Sequence, residues 1–148
     1  MTDIAPVVLD ATFAAPPDAV FDAFTRAEHL TRWFAARARI DATPGGTWRY
    51  EWPDDLAAEG RVLDADRPNR LVWTWEASIS GPVQMDSDVT ITYTFEPDGD
   101  GTRLHLEEVG HDTAEIRDAN ASGNEQMLAT LRAYLEDGTT VDWAAPPS

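Results

Sequence analysis

The 148 residues carry 27 acidic against 11 basic side chains, a formal net charge of −16, so phosphate backbones and anionic lipid are repelled and neither nucleic acid nor a membrane surface is expected as a partner. Cysteine is absent and all 11 basic residues are arginine, which removes disulfides, thiolate nucleophiles, cysteine-bound metals, Schiff-base lysines and the phosphate-loop lysine together. A hydrophobic content of 43% supports one core, with no charged leader and no run of about eighteen apolar residues. One soluble cytoplasmic domain is expected, and acidity without lysine points to a cytoplasm rich in salt.

Residues 7 to 14 alternate, with Val7, Leu9 and Phe13 on one parity, and read as a strand. Pro16, Pro17 and Asp18 open a helix striped by Val20, Phe21 and Phe24, and a second short helix carries Leu30, Trp33 and Phe34. A weak strand near 36 to 41 and the turn TPGG lead to the most regular aromatic stretch, TWRYEW, where Trp48, Tyr50 and Trp52 share one face and Arg49 and Glu51 the other. Residues 58 to 65 and 70 to 77 read as strands joined by the turn DRPN. The second of them repeats the aromatic pattern with Leu71, Trp73 and Trp75 on one parity and Val72, Thr74 and Glu76 on the other.

Residues 78 to 87 read as a loop. After it, Val89, Ile91, Tyr93 and Phe95 alternate against threonines, and the turn PDGDG starts a hairpin partner with Leu104 and Leu106 inward and Arg103, His105 and Glu107 outward. Two capping boxes follow, Asp112 with Glu115 and Ser122 with Glu125. They place the longer helix at about 123 to 137, striped by Met127, Leu128, Leu131, Tyr134 and Leu135 and ended by Gly138. Half-apolar strands need a cover, and this helix is the one segment large enough to supply it. The ordered core is expected over about 7–138, with 139–148 loosely held.

The runs APPDAVFDAFTRAEHLTRWF, TPGGTWRYEW, EGRVLDADRPNRLVWTWE and VTITYTFEPDGDGTRLHLEEVGH together resemble homologues of the activator of heat-shock-protein-90 ATPase, within the START-like (SRPBCC) superfamily. The resemblance implies an α+β helix-grip fold: a curved antiparallel sheet of six to seven strands around a long C-terminal helix, two short helices after the first strand, and in many members a largely apolar cavity. The family commonly has a Gly-Trp pair near the start of the last helix. Here Gly123 is followed by Asn124, which removes an aromatic contact expected at that end.

No catalytic residues are assigned. His29, His105 and His111 lie far apart in the pattern and are expected to be structural, because a metal site needs several donors converging on one point. Asp98, Asp100 and Thr102 begin like a calcium loop, but Arg103 and Val109 stand where further ligands belong. No Gly-x-Ser-x-Gly elbow occurs and no nucleophile–base pair is assigned; neither a metal nor a cofactor is expected. The inward parities are nearly free of charge. The aromatics are the signal: Trp33, Phe34, Trp48, Tyr50, Trp52, Trp73, Trp75 and Tyr93, with Met127 and Leu131 from the last helix, are the candidate ligand-binding residues, part core and part pocket wall. A binding protein for a small hydrophobic or aromatic molecule is favoured. A co-chaperone-like ATPase activator comes next, and a cyclase- or hydrolase-type enzyme third, since it would need a polar group inside the pocket. The partners allowed are a small hydrophobic molecule, a second copy of the chain or a chaperone.

Overall fold

The structure, a computed structural model, describes residues 4–53, 56–75, 77–80, 89–111 and 113–141. The elements in order are β1 (Val7–Phe13), α1 (Pro17–Thr25), α2 (Ala27–Trp33), β2 (Arg37–Ile40), β3 (Thr47–Trp52), β4 (Leu56–Asp66), β5 (Arg70–Trp75), β6 (Ala77–Ser80), β7 (Val89–Asp98), β8 (Gly101–Val109) and α3 (Ala114–Asp137). All pairings are antiparallel, and the strands run β1-β8-β7-β5-β4-β3-β2 across one curved sheet, with β6 branching onto β4. This is the expected α+β helix-grip architecture.

Strand parity is obeyed closely. On β7 the residues Val89, Ile91, Tyr93 and Phe95 are buried while the threonines between them are half-buried. Register then stacks the inward residues into rows, because antiparallel partners share a face. Trp73 stands opposite Ile91, Ile91 opposite Glu108, and Glu108 opposite Val7. The turn at DRPN closes as expected, with Asn69 N–H donating to the Asp66 carbonyl at 2.6 Å.

Three expectations need correction. The segment read as a loop from residue 78 begins with β6, which pairs with β4 through Ala57↔Ser80, Ala58↔Ser78 and Glu59↔Ala77; residues 81–88, with Gly81 and Pro82, lie outside the described residues, as does the outward placement of Glu76. The second capping box does not start a helix. α3 runs unbroken for 24 residues through Ser122, since a helix already under way satisfies the amides that a cap would otherwise serve. Its N-cap is Thr113, whose hydroxyl accepts from Ile116 N–H at 3.1 Å; Asp112 lies outside the described residues. The cover is shared, because α1 buries Val20, Phe21, Ala23 and Phe24 and sets Phe21 and Phe24 against Phe95 and Tyr93 at ring-centroid separations of 5.5 and 4.6 Å. Past α3, Val141 N–H donates to the Arg32 carbonyl at 2.8 Å, and residues 142–148, most of the stretch expected to be loosely held, lie outside the described residues.

α3 ends where expected. Gly138 takes a left-handed conformation at φ +70°, with its own N–H and that of Thr139 returning to the Tyr134 and Ala133 carbonyls at 3.1 Å each, a turn that glycine adopts without a Cβ penalty. Leu128 and Leu131 are buried under the helix, while Met127, Tyr134 and Leu135 pack partly buried against the core. His29 Nδ1 and Tyr134 Oη, 2.7 Å apart, tie α2 to α3.

Candidate functional site

The inward aromatics form one continuous cluster. Trp48 stands 4.8 Å from Tyr50, 5.5 Å from Trp73 and 4.8 Å from Trp75, ring centre to ring centre, and Phe34 reaches Tyr50 at 5.3 Å. These separations fall in the range of edge-to-face and tilted aromatic packing. Yet the tryptophans divide by the fate of their indole N–H groups. Trp33 donates to the Ala23 carbonyl at 2.9 Å, Trp48 to Thr74 at 2.9 Å and Trp52 to Phe34 at 2.7 Å. Each is bolted to a neighbouring element.

Trp48 depends on a glycine for its bond. Gly60 stands opposite it on β4, and a Cβ there would collide with the Thr74 carbonyl and come within 2.8 Å of the indole nitrogen. The bare backbone at Gly60 is what lets the indole cross β4 and reach β5.

Trp73 and Trp75 have no such bolt. Their indole nitrogens, and the hydroxyl of Tyr50, are buried without a hydrogen-bond partner among the described residues. The Trp73 N–H lies close enough to the Tyr93 phenol to lower its pKa slightly, but not in hydrogen-bond geometry. All four side chains line a cavity of about 50 Å³ between the sheet and α3. Phe24, Leu30, Trp33, Phe34 and Ile91 complete its apolar wall, and Asn120, Gly123, Asn124 and Met127 close it from the helix.

One wall residue carries a carboxyl group. Glu108 is fully buried, with Oε1 2.6 Å from His111 Nε2 and Oε2 accepting from Asn124 Nδ2 at 2.9 Å. With the carboxyl ionised, the imidazole donates. The expectation that the inward face is nearly free of charge is therefore corrected. The signal was present: Glu108 shares the parity of Leu104 and Leu106, one step beyond Glu107. Its neighbour Asn124, one residue past Gly123 on α3, supplies the amide that holds the carboxyl group.

Burial pushes the Tyr50 phenol well above its ordinary range, with Tyr93 adding to the effect. Tyr93 is raised by burial first and by the Glu108 carboxylate second. Both rings therefore keep their O–H at any physiological pH, so Tyr50 is a permanent donor.

Of the ten candidate residues, Trp33, Phe34, Tyr50, Trp73, Trp75, Tyr93 and Met127 line this cavity. Three do not. Trp48 packs behind the wall, Leu131 is buried in the core, and Trp52 borders an outer groove of about 850 Å³ between α2 and α3. Trp33, Phe34, Asn120, Gly123 and Met127 border both spaces and separate the cavity from the groove. Sequence reading missed Glu108, His111, Asn120 and Asn124.

His105 is 3.0 Å from Asp10 Oδ1 on the surface, and the three imidazoles do not converge. Among the described residues no cluster of three metal-ligating side chains occurs, and no helix is long and apolar enough to cross a membrane.

Solved structures of similar shape include protein MLL2253 from Mesorhizobium loti, 21% identical with a TM-score of 0.77 over 92% of this chain and 99% of that one. The Aha1 dimer from Colwellia psychrerythraea is 16% identical, with a TM-score of 0.75 over 91% and 98% of the two chains. DynU16, a putative protein in the dynemicin biosynthetic locus, is 20% identical with a TM-score of 0.79, covering 93% of this chain and 50% of its own. At these identities the likeness is one of fold. No curated protein matches the chain. The family profile described as Activator of Hsp90 ATPase homolog 1-like protein matches residues 14–136, and with most of the chain inside that match, the protein belongs to this family.

Proposed function

We propose that the protein binds a small hydrophobic or aromatic molecule in the cavity between the sheet and α3. The observation that carries the reading is the set of buried polar atoms on aromatic walls, Tyr50 Oη, Trp73 Nε1 and Trp75 Nε1, that find no partner among the described residues. Native interiors rarely leave such groups unmatched, because each costs about 1–3 kcal/mol when buried alone. A bound molecule or water supplies what the protein does not. The cavity is smaller than a benzene ring, so a ligand enters by displacing Met127, an unbranched side chain that adapts its shape at low cost. Titration with toluene, indole and naphthalene, followed by tryptophan fluorescence and calorimetry, tests this. Saturable binding with a fluorescence change is expected; no binding by any of the three, and no small molecule copurifying by native mass spectrometry, would sink it.

A second reading, an ATPase activator, is favoured by the family description. A pull-down with a chaperone ATPase separates it from the first, and light scattering asks whether the chain pairs with itself as the Colwellia protein does. An enzymatic role gains one support, the Glu108–His111 pair at the cavity. We also propose a salt-rich cytoplasm for the protein, on the basis of the −16 net charge and the missing lysine. Screening shortens charge repulsion from about 10 Å at 0.1 M to about 3 Å at 1 M salt, so Tm is expected to climb between 0.1 and 3 M potassium chloride. A flat or falling curve would remove this part of the reading.

A further inference from the structure

The polar end of the cavity has a composition that discriminates between ligand charges. Glu108 presents a buried carboxyl group whose two oxygens, when it is ionised, accept one bond each, from His111 and Asn124. A carboxylate has about four lone-pair sites, so it can still accept. The same cavity is lined by three side chains whose donors find no acceptor among the described residues, the Tyr50 hydroxyl and the Trp73 and Trp75 indole N–H groups. The same small space therefore offers acceptor and donors together.

Each simple charge class leaves part of this set unmet. A cationic head would satisfy Glu108 but leave the three donors facing its positive charge. An anionic head would accept from the donors but be driven off by the carboxylate. A neutral hydroxyl serves both kinds without a charge conflict, giving its proton to Glu108 and accepting from up to two of the donors. The surrounding walls are rings, and rings favour a flat apolar body behind that hydroxyl.

Resting on the ligand-binding reading above, we propose that this cavity is a recognition site for a hydroxyl group carried on a small neutral aromatic ring, with Glu108 as the acceptor and Tyr50 as a donor. His111 and Asn124 are positioning residues for Glu108. The hydroxyl sits at the inner end, and the ring extends past Phe34 and Met127 toward the outer groove that those residues share with the cavity.

The test is isothermal titration of the intact chain with four probes of similar size: phenol, toluene, benzylammonium and benzoate. Phenol is expected to bind at least about tenfold more tightly than toluene, the gain that one hydrogen bond to a charged acceptor supplies, and more tightly than either ion. Glu108→Gln should bring phenol close to toluene while toluene binding is kept. Should that variant fold poorly, Tyr50→Phe supplies the second reading, since it removes an oxygen that has no partner among the described residues. It should keep or raise Tm and weaken phenol several-fold with toluene unchanged. Equal binding of phenol and toluene by the parent would overturn the hydroxyl site and leave the apolar-ligand reading standing. Preference for benzylammonium or benzoate would overturn it in favour of an ion site, and unchanged phenol affinity in Tyr50→Phe would overturn the donor assignment. Binding of no probe would remove both readings.

Discussion

Trp48 and Trp75 lie 4.8 Å apart, ring centre to ring centre, and both are buried, yet they serve the molecule differently. Trp48 spans three strands: its backbone is in β3, its ring lies over Gly60 of β4, and its N–H is bonded to a β5 carbonyl. Trp75 contributes a comparable ring to the same cluster, but its N–H is unpartnered among the described residues and its side chain lines the cavity. Burial alone does not distinguish core from wall. For this pair the fate of the polar atom does, because a dry core closes its hydrogen bonds, whereas the proposed binding role would leave some open for a guest.

The largest effect expected from this contrast is at Trp48. Trp48→Ala should cost about 3–5 kcal/mol in denaturant unfolding, the usual range for removing a packed tryptophan, and the lost bond to Thr74 places it at the upper end. Trp73→Ala and Trp75→Ala should each cost clearly less, since a ring that already borders a cavity has fewer contacts to lose. Equal losses at all three positions would erase the distinction between bolt and wall.

A finer version removes the same ring atoms at both positions, so that the loss of volume is matched. Trp48→Phe removes a made hydrogen bond and should cost about 1 kcal/mol more than Trp75→Phe, which removes an N–H with no partner among the described residues. Chemical denaturation of the two variants side by side measures the difference, and a larger loss at Trp75 would contradict the assignment.

Smaller effects are expected where the groups are solvated. Asp22 on α1 accepts two bonds from Arg67, Nε to Oδ1 at 2.9 Å and Nη2 to Oδ2 at 3.0 Å, and the hydrogen bond from Arg67 is the main cause of its lowered pKa. A depressed folded-state pKa contributes stability that is present above the unfolded value, near 3.8, and lost as pH falls through the folded value. Asp22→Asn should therefore lower Tm at pH 7, with the gap to the parent closing as pH drops below about 4. A gap that persists at pH 2 would point to packing and not charge. The least effect is expected on the outer face of β3: Arg49→Ala or Glu51→Ala should shift stability by less than about 1 kcal/mol, as surface ion pairs usually do, although Arg49 pairs with Glu59 at 3.1 Å.

Much of this molecule was legible from period alone. Alternation put Trp48, Tyr50, Trp73, Trp75 and Tyr93 on one face, and the burial of each agrees. The same alternation, carried one residue further along β8, reaches Glu108. Local signals were less dependable at helix ends. Ser122 and Glu125 match a capping box in isolation, but eight helical residues already precede Ser122 in α3, and a two-residue pattern cannot report whether a helix has begun upstream.

Sequence by itself determined the faces of the strands, the ending of the last helix at Gly138 and the acidic, lysine-free surface, because these follow from residue chemistry and from periods of two or 3.6 within one segment. Tertiary structure alone decided which aromatic is bolt and which is wall. Trp48 finds the Thr74 carbonyl 26 residues away, and Glu108 finds Asn124 16 residues away across the junction of sheet and helix. Hydrogen-bond partners at such distances are set by strand register and by the seating of α3 on the sheet, and neither is written in the local pattern that made the elements.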